Sequence, residues 1–97
     1  MAMHNPPHPG EFIAEIYLEP NRISMRELAS ALRVAPSTLS RLINGVTAIS
    51  PVMAIRLSKA LGRSPESWLA MQANYDLWHA KRTFKTGTIS KLKLSAA

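Results

Sequence analysis

Apolar residues recur along this chain with helical spacing. In the first segment, Phe12, Ile13, Ile16 and Tyr17 follow the pattern i, i+1, i+4, i+5. Four later segments show a similar stripe, at about residues 25–32, 36–43, 51–61 and 65–82. No segment alternates with period two over a useful length. The pattern therefore predicts an all-α fold of five helices, the last of them extended.

Capping residues and prolines mark where these helices begin and end. Ser24 and Glu27 form a capping box before the second helix, and Pro36 suits the first turn of the third. Ser50-Pro51 and Ser64-Pro65 combine a cap with a proline and open the fourth and fifth helices. Pro20 is expected to stop the first helix and Gly62 the fourth. The Asn44-Gly45 pair is expected to end the third, because both residues tolerate the left-handed conformation.

Residues 28–45 are typical of two short helices joined by a tight bend. The third helix has an apolar side formed by Leu39, Leu42 and Ile43, and an opposite side that carries only small polar residues and Arg41. A merely solvated helix face would favour Glu, Lys and Gln over Ser and Thr, which are poor interior helix formers. The pattern therefore indicates a helix-turn-helix in which the third helix reads DNA bases. Arg33 occupies the bend, where such sequences usually have glycine.

The residues expected to contact DNA cluster on the third helix and at helix starts. Arg41 suits a bidentate contact with guanine, and Ser37 and Thr38 suit base edges or phosphate. The remaining positions are expected to face the DNA backbone, some through free N–H groups at helix starts. The predicted DNA-binding residues are Ser24, Met25, Pro36, Ser37, Thr38, Arg41, Asn44, Thr47 and Ser50.

The net charge of +6 is unevenly distributed along the chain. Residues 1–21 contain three glutamates and no Lys or Arg, whereas residues 22–63 contain six arginines and one lysine against Glu27 alone. Residues 81–97 hold four more lysines and one arginine. The predicted DNA-reading region is thus also the basic region, as phosphate contact requires.

Length and composition limit the other possibilities. The 97 residues suit one domain, and the absence of cysteine excludes disulfides and thiolate metal sites and fits a cytoplasmic location. We expect no membrane segment, no signal peptide, no metal or cofactor, and no catalytic grouping of Ser, His and Asp. The predicted organisation is a flexible N-terminal arm at 1–8, a helix-turn-helix domain at 9–82 and a disordered basic tail at 83–97.

The block 25–62 resembles the lambda-repressor-like (XRE) helix-turn-helix family, and its flanks resemble the HigA, or VapI-type, antitoxins within it. Within the block, Asn44-Gly45 with Ile49-Ser50 fits the same group; the flanks are His8-Pro9-Gly10-Glu11 and the segment from Gly62 to Leu77. The last matches the pattern Gly-x-Ser-x-x-x-Trp-Leu-x-x-Gln-x-x-Tyr-Asp-Leu. The resemblance implies a five-helix lambda-repressor-like domain that binds an mRNA-cleaving HigB-like toxin and, as a dimer, represses its own operon.

Two other functions stay open on the sequence: a stand-alone transcriptional regulator without a toxin, and a protein-interaction module that uses the same helix face. For the dimer, the fifth helix is long for this chain and carries three large aromatic residues. We expect a homodimer on an inverted-repeat operator, with an interface that includes Trp68, Tyr75 and Trp78.

Overall fold

Five helices follow one another in the computed structural model, which describes residues 5–95. Helix α1 consists of an α-helical segment Pro9–Ile13, a π-helical segment Ala14–Leu18 and a short α-helical turn Glu19–Asn21. The others are α2 (Met25–Leu32), α3 (Pro36–Ile43), α4 (Pro51–Leu61) and α5 (Pro65–Thr83). Residues 5–95 contain no strand, so the all-α prediction is confirmed. None of the described helices is long and apolar enough to cross a membrane.

Serine side chains begin three of the helices. The hydroxyls of Ser24, Ser50 and Ser64 each accept a hydrogen bond from the amide three residues later, at 3.1, 3.1 and 3.0 Å. At α2 the carboxylate of Glu27 also accepts from the Ser24 amide at 3.1 Å, which completes the capping box. These bonds satisfy amides that a helix start otherwise leaves free, and the starts lie where the sequence predicted them.

Helices α1, α2 and α3 all end in a Schellman motif, with a residue in the left-handed conformation just past the helix. That residue is Arg22, Arg33 or Gly45, with φ of 53°, 61° and 77°. After α2, the Arg33 amide donates to the Ser30 carbonyl at 3.1 Å, and the next amide along donates to the Ala29 carbonyl at 3.0 Å. Asn44-Gly45 ends α3 as predicted; Asn44 has φ of −86°, and Gly45 is the left-handed residue of the pair.

Proline 20 does not stop α1, which corrects the prediction from the sequence. The helix continues through Pro20 to Asn21. Proline has no N–H to donate to the carbonyl four residues earlier. The preceding turn widens into the π-helical segment, where the Glu19 amide donates to the carbonyl of Ala14, five residues back. We attribute the wide turn to this missing donor, since it lets the helix pass the proline.

The core gathers apolar residues from all five helices and from the segment before α4. Helix α5 packs on α4 and α1, while α3 packs between α1 and α2. Trp68 is the largest fully buried side chain, and its indole N–H donates to the Gly62 carbonyl at 3.0 Å. The buried apolar set is Ile13, Leu18, Leu28, Ala29, Leu32, Leu39, Leu42, Ile49, Ala54, Leu57 and Trp68.

The start of α1 lies against the end of α3 at backbone distance. A Cβ atom added to Gly10 would overlap the Leu42 carbonyl oxygen and lie 2.7 Å from the Cα of Ile43. Only glycine allows this approach, because both neighbouring groups are backbone and cannot rotate away. Gly10 therefore sets the distance between α1 and the predicted DNA-reading helix.

The segments before α1 and after α5 differ in burial. His8, which the sequence assigned to a flexible arm, caps α1 and is half-buried. Residues 84–95 contain no helix, and all of their side chains are exposed. Disorder of this tail stays a prediction. Residues 1–4 of the predicted arm and 96–97 of the tail lie outside the described residues.

Replacing Gly10 by alanine should lower the free energy of unfolding by about 2–3 kcal/mol, because the new methyl group would force α1 away from α3. Gly87→Ala is the matched control, since a Cβ there meets nothing within 4 Å. Urea denaturation followed by circular dichroism measures both. Equal stability of the two variants would show that α1 and α3 do not pack at this distance.

Candidate nucleic-acid interface

Helix α3 carries a polar, exposed face opposite its buried side. Leu39 and Leu42 are fully buried, whereas Ser37 and Arg41 are exposed, with Thr38 half-buried beside them. Within residues 5–95, no side chain or carbonyl accepts a hydrogen bond from the Arg41 guanidinium. The structure thus brings together the three residues that the sequence predicted to read bases.

The bend between α2 and α3 is held by a residue that the sequence analysis did not identify. Arg56, on α4, donates from Nη1 to the Leu32 carbonyl at 2.7 Å and to the Arg33 carbonyl at 3.4 Å. These are carbonyls at the end of α2, where helix geometry leaves acceptors free and the dipole favours a cation. Arg33 at the bend adopts the left-handed conformation at a cost of roughly 1–2 kcal/mol. The Schellman bonds and Arg56 hold the bend in spite of that cost.

The starts of the three central helices differ in how their amides are used. Ser24 and Ser50 satisfy one amide each, and helix geometry leaves the first amides of α2, those of Met25 and Arg26, without a partner. At α3, Ala35 makes no side-chain cap, and Pro36 has no N–H. The Ser37 amide is then the first free donor of α3. Free amides at a helix start, with the positive end of the dipole, suit a phosphate.

The segment after α3 exposes two further predicted residues, Asn44 and Thr47. The Asn44 side-chain amide donates to the Ser40 hydroxyl at 3.2 Å, so one of its donors is used within the protein. The amides of Val46 and Thr47 both donate to the Arg41 carbonyl, at 2.8 and 3.4 Å. This segment therefore turns back over the end of α3 and lies beside its exposed face.

Basic residues between 22 and 63 serve two different purposes. Arg56 bonds carbonyls as described, and Arg63 lies over the rings of Phe12 and Trp68, with its guanidinium carbon 5.3 and 5.7 Å from the ring centroids. These two therefore stabilise the fold. The exposed basic side chains that remain are Arg41, which is predicted to read a base, and four left for phosphate contact: Arg22, Arg26, Arg33 and Lys59.

The sequence predicted that the three aromatic residues of α5 share one interface, but in the structure they do not form one surface. Trp68 is 0% exposed within a single chain, so it has no surface to offer a second copy. That assignment was wrong, because helical spacing does not distinguish a core position from an interface. Tyr75 and Trp78 are half-buried, and Leu77 between them is 50% exposed. An interface through Tyr75 and Trp78 stays a prediction.

Two polar residues, Gln72 and His8, fix the surroundings of α3. The sequence named both only within the motifs of the family resemblance and gave them no structural role. Gln72 is 5% exposed; its carbonyl oxygen accepts from the Ile49 amide at 2.9 Å and its amide donates to Asp76 at 3.0 Å. It ties the segment before α4 to α5. The sequence did contain a signal for this role, because a glutamine four residues after Trp68 falls on the buried stripe of the helix.

His8 is the other polar residue, and it lies where α1, the segment after α3 and α5 meet. Its Nδ1 accepts from the Gly10 amide at 2.9 Å. Partial burial lowers the pKa of His8 below its usual value, opposed by the nearby backbone of Thr47 and by the charges of Asp76 and Glu11. Within residues 5–95 there is no group of three or more His, Asp or Glu residues that could hold a metal ion.

Comparison with known proteins agrees with the helix-turn-helix geometry of this structure. A helix-turn-helix family model (HTH_3) matches residues 15–68. The chain is 44% identical over 92 residues to the uncharacterised HTH-type transcriptional regulator YddM of Escherichia coli K12. The matched region is 95% of this chain and 97% of YddM.

Solved structures of antitoxins are similar to this one. Antitoxin GraA matches with a TM-score of 0.87 and 33% identity, covering 93% of this chain and all of that one. The Pseudomonas aeruginosa antitoxin HigA, solved with the higBA promoter, matches with a TM-score of 0.75 and 35% identity over 79% of this chain and 84% of that one. The chain therefore belongs to the helix-turn-helix family that includes the HigA antitoxins.

Proposed function

We propose that this protein is a dimeric, sequence-specific DNA-binding antitoxin that represses its own operon and neutralises a HigB-like, mRNA-cleaving toxin. The exposed polar face of α3 is the observation that carries the DNA-binding part. An isolated Arg41 guanidinium flanked by small hydroxyl side chains is suited to base edges and is poorly explained by packing. Binding to DNA would also place the protein in the cytoplasm.

In this proposal α3 enters the major groove with the start of the helix toward the bases. Arg41 donates two hydrogen bonds to O6 and N7 of guanine, and Ser37 and Thr38 contact neighbouring base edges or phosphates. The face is narrow, because Leu39 and Leu42 are buried on the other side. Few side chains are thus available to specify sequence, and Arg41 should dominate.

The other predicted residues are proposed to contact the DNA backbone. Ser24, Met25 and Ser50 lie at helix starts, where amides point outward, and Pro36 opens the helix that enters the groove. Asn44 and Thr47 lie in the segment that turns back over the end of α3. Such contacts orient a protein on DNA without reading its sequence.

Dimerisation is proposed to use α5. Tyr75 and Trp78 are half-buried, Leu77 is half exposed, and Phe84 just beyond the helix is 61% exposed. Exposed and half-buried apolar side chains of this kind are typical of an interaction site. A two-fold pair would place two copies of α3 about 34 Å apart, one helical turn of DNA, and would select an inverted repeat.

Toxin neutralisation is supported by the similarity to GraA and HigA, which are described as antitoxins. A stand-alone regulator without a toxin is the second candidate. The observation that favours it is the 44% identity to YddM, which is described as a transcriptional regulator and is matched along nearly its whole length.

Replacing Arg41 by alanine should weaken operator binding by about 1–3 kcal/mol and affect random DNA much less, because the guanidinium reads a base. Fluorescence anisotropy with both DNAs measures this at one salt concentration. Lys59→Ala removes one exposed positive charge elsewhere and is the control. Equal losses on the two DNAs would make Arg41 a phosphate contact, and no loss on either would remove α3 from the interface.

Expression of a HigB-like toxin encoded beside this gene should arrest growth, and co-expression of this protein should restore it, because the antitoxin binds and neutralises the toxin. Growth curves and co-purification measure the two effects, with the empty plasmid as control. Unrelieved arrest without co-purification would contradict the antitoxin assignment and favour the stand-alone regulator.

A further inference from the structure

The segment that joins α3 to α4, residues 44–50, is attached to the scaffold at two points. Near its beginning, the amide of Val46 donates to the Arg41 carbonyl at 2.8 Å. Near its end, the amide of Ile49 donates to the side-chain oxygen of Gln72 at 2.9 Å. The segment is therefore held to α3 on one side and to the long helix α5 on the other.

The amide of Ile49 depends on Gln72. Ile49 is 5% exposed, and its N–H is not bonded to any backbone carbonyl within residues 5–95. A buried amide that loses its acceptor is costly, because water cannot take the acceptor's place. Ile49 directly precedes Ser50, whose hydroxyl caps α4 by accepting from the Met53 amide. Gln72 thus holds the chain at the last residue before the cap of α4.

Asp76 fixes which way the Gln72 amide points. The side-chain nitrogen of Gln72 donates to the Asp76 carboxylate at 3.0 Å. A carboxylate only accepts hydrogen bonds, so a reversed amide would set acceptor against acceptor there and donor against donor at Ile49. Gln72 therefore satisfies both neighbours in one orientation. An apolar side chain of the same length would satisfy neither.

The attached segment carries two residues that are proposed to contact the DNA backbone. Thr47 and Ser50 are exposed and lie two residues before Ile49 and one residue after it. Fixing the Ile49 amide therefore limits where both of them can lie. Gln72 forms no hydrogen bond with the three residues of α3 that are proposed to read bases; its two partners are Ile49 and Asp76.

We propose, building on the proposed DNA-binding function, that Gln72 is a positioning residue that holds residues 47–50 in place for contact with the DNA backbone. Backbone contacts carry no sequence information, so loss of Gln72 should weaken binding to any DNA and leave sequence preference unchanged. Gln72 also lies three residues before Tyr75 on α5. One side chain therefore links the helix proposed to form the dimer with the segment proposed to contact DNA.

The test measures the affinity of the full chain, of Gln72→Met and of Ser64→Ala for two duplexes. One duplex is the operator from the promoter of its own operon, and the other is a random sequence of equal length. Methionine keeps the length and the net charge but offers no donor and only a weak acceptor. Ser64→Ala is the matched control, because it removes a cap of α5 and costs stability without touching residues 47–50.

Gln72→Met should bind both duplexes about tenfold more weakly, since roughly one more residue must be ordered on binding. Ser64→Ala should bind both as the parent protein does, with circular dichroism confirming that each variant is folded at the measuring temperature. A merely structural role of Gln72 would lower the thermal stability of both variants and leave both affinities unchanged, which would overturn the proposal. A loss confined to the operator would overturn it too.

A second measurement needs no DNA and separates this inference from the proposed function. In the free parent protein, the Ile49 amide should exchange its hydrogen with solvent about tenfold or more slowly than the Ala48 amide. Gln72→Met should lose this protection and shift the amide signals of Thr47 and Ser50 in nuclear magnetic resonance spectra, whereas Ser64→Ala should do neither.

An Ile49 amide that exchanges as fast as that of Ala48 in the parent protein would overturn the positioning role, whether or not the protein binds DNA. Unshifted signals of Thr47 and Ser50 in Gln72→Met would overturn it as well. A parent protein that shows the protection yet binds neither duplex would instead contradict the proposed DNA-binding function.

Discussion

Helix α3 can present a polar face to solvent only because its other side packs closely on α1 and α2. Gly10 lets the start of α1 reach the backbone of Leu42 and Ile43, and Ala29, which is 1% exposed, lets α2 cross close by. An eight-residue helix is too short to be stable alone, so its position depends on this packing. Arg56 holds the bend before α3, and Gly45, just after α3, lies against the His8 ring, so both ends of the helix contact the scaffold.

Local signals were enough to predict much of this structure. Helices α2, α3 and α4 begin and end where their caps, prolines and apolar stripes placed them, because these boundaries depend on bonds within a few residues. The polar face of α3 was likewise predictable from helical spacing. Contacts between distant segments were not: Arg56 bonds carbonyls 24 and 23 residues away, and Gln72 bonds an amide 23 residues away.

Two predictions about the helical scaffold were corrected, for different reasons. Pro20 was expected to stop α1, but the fold keeps the helix and widens one turn. Trp68 was assigned to a dimer interface, but it is enclosed by α1 and by the guanidinium of Arg63, with the Phe12 and Tyr17 rings 6.1 and 5.9 Å away. Tertiary packing decided the place of Trp68, whereas the continuation of α1 past Pro20 depends on hydrogen bonds within the helix itself. The exposed and half-buried apolar residues that remain for a partner, Tyr75, Leu77 and Trp78, lie farther along α5.

Guanine methylation interference on the operator tests most directly whether a two-fold pair of α3 helices reads the major groove. Methylation at N7 blocks the acceptor that Arg41 would use. The account predicts two sets of interfering guanines in inverted orientation, centred about 10 base pairs apart on one face of the DNA. A single set, or binding that guanine methylation leaves unchanged, would contradict it.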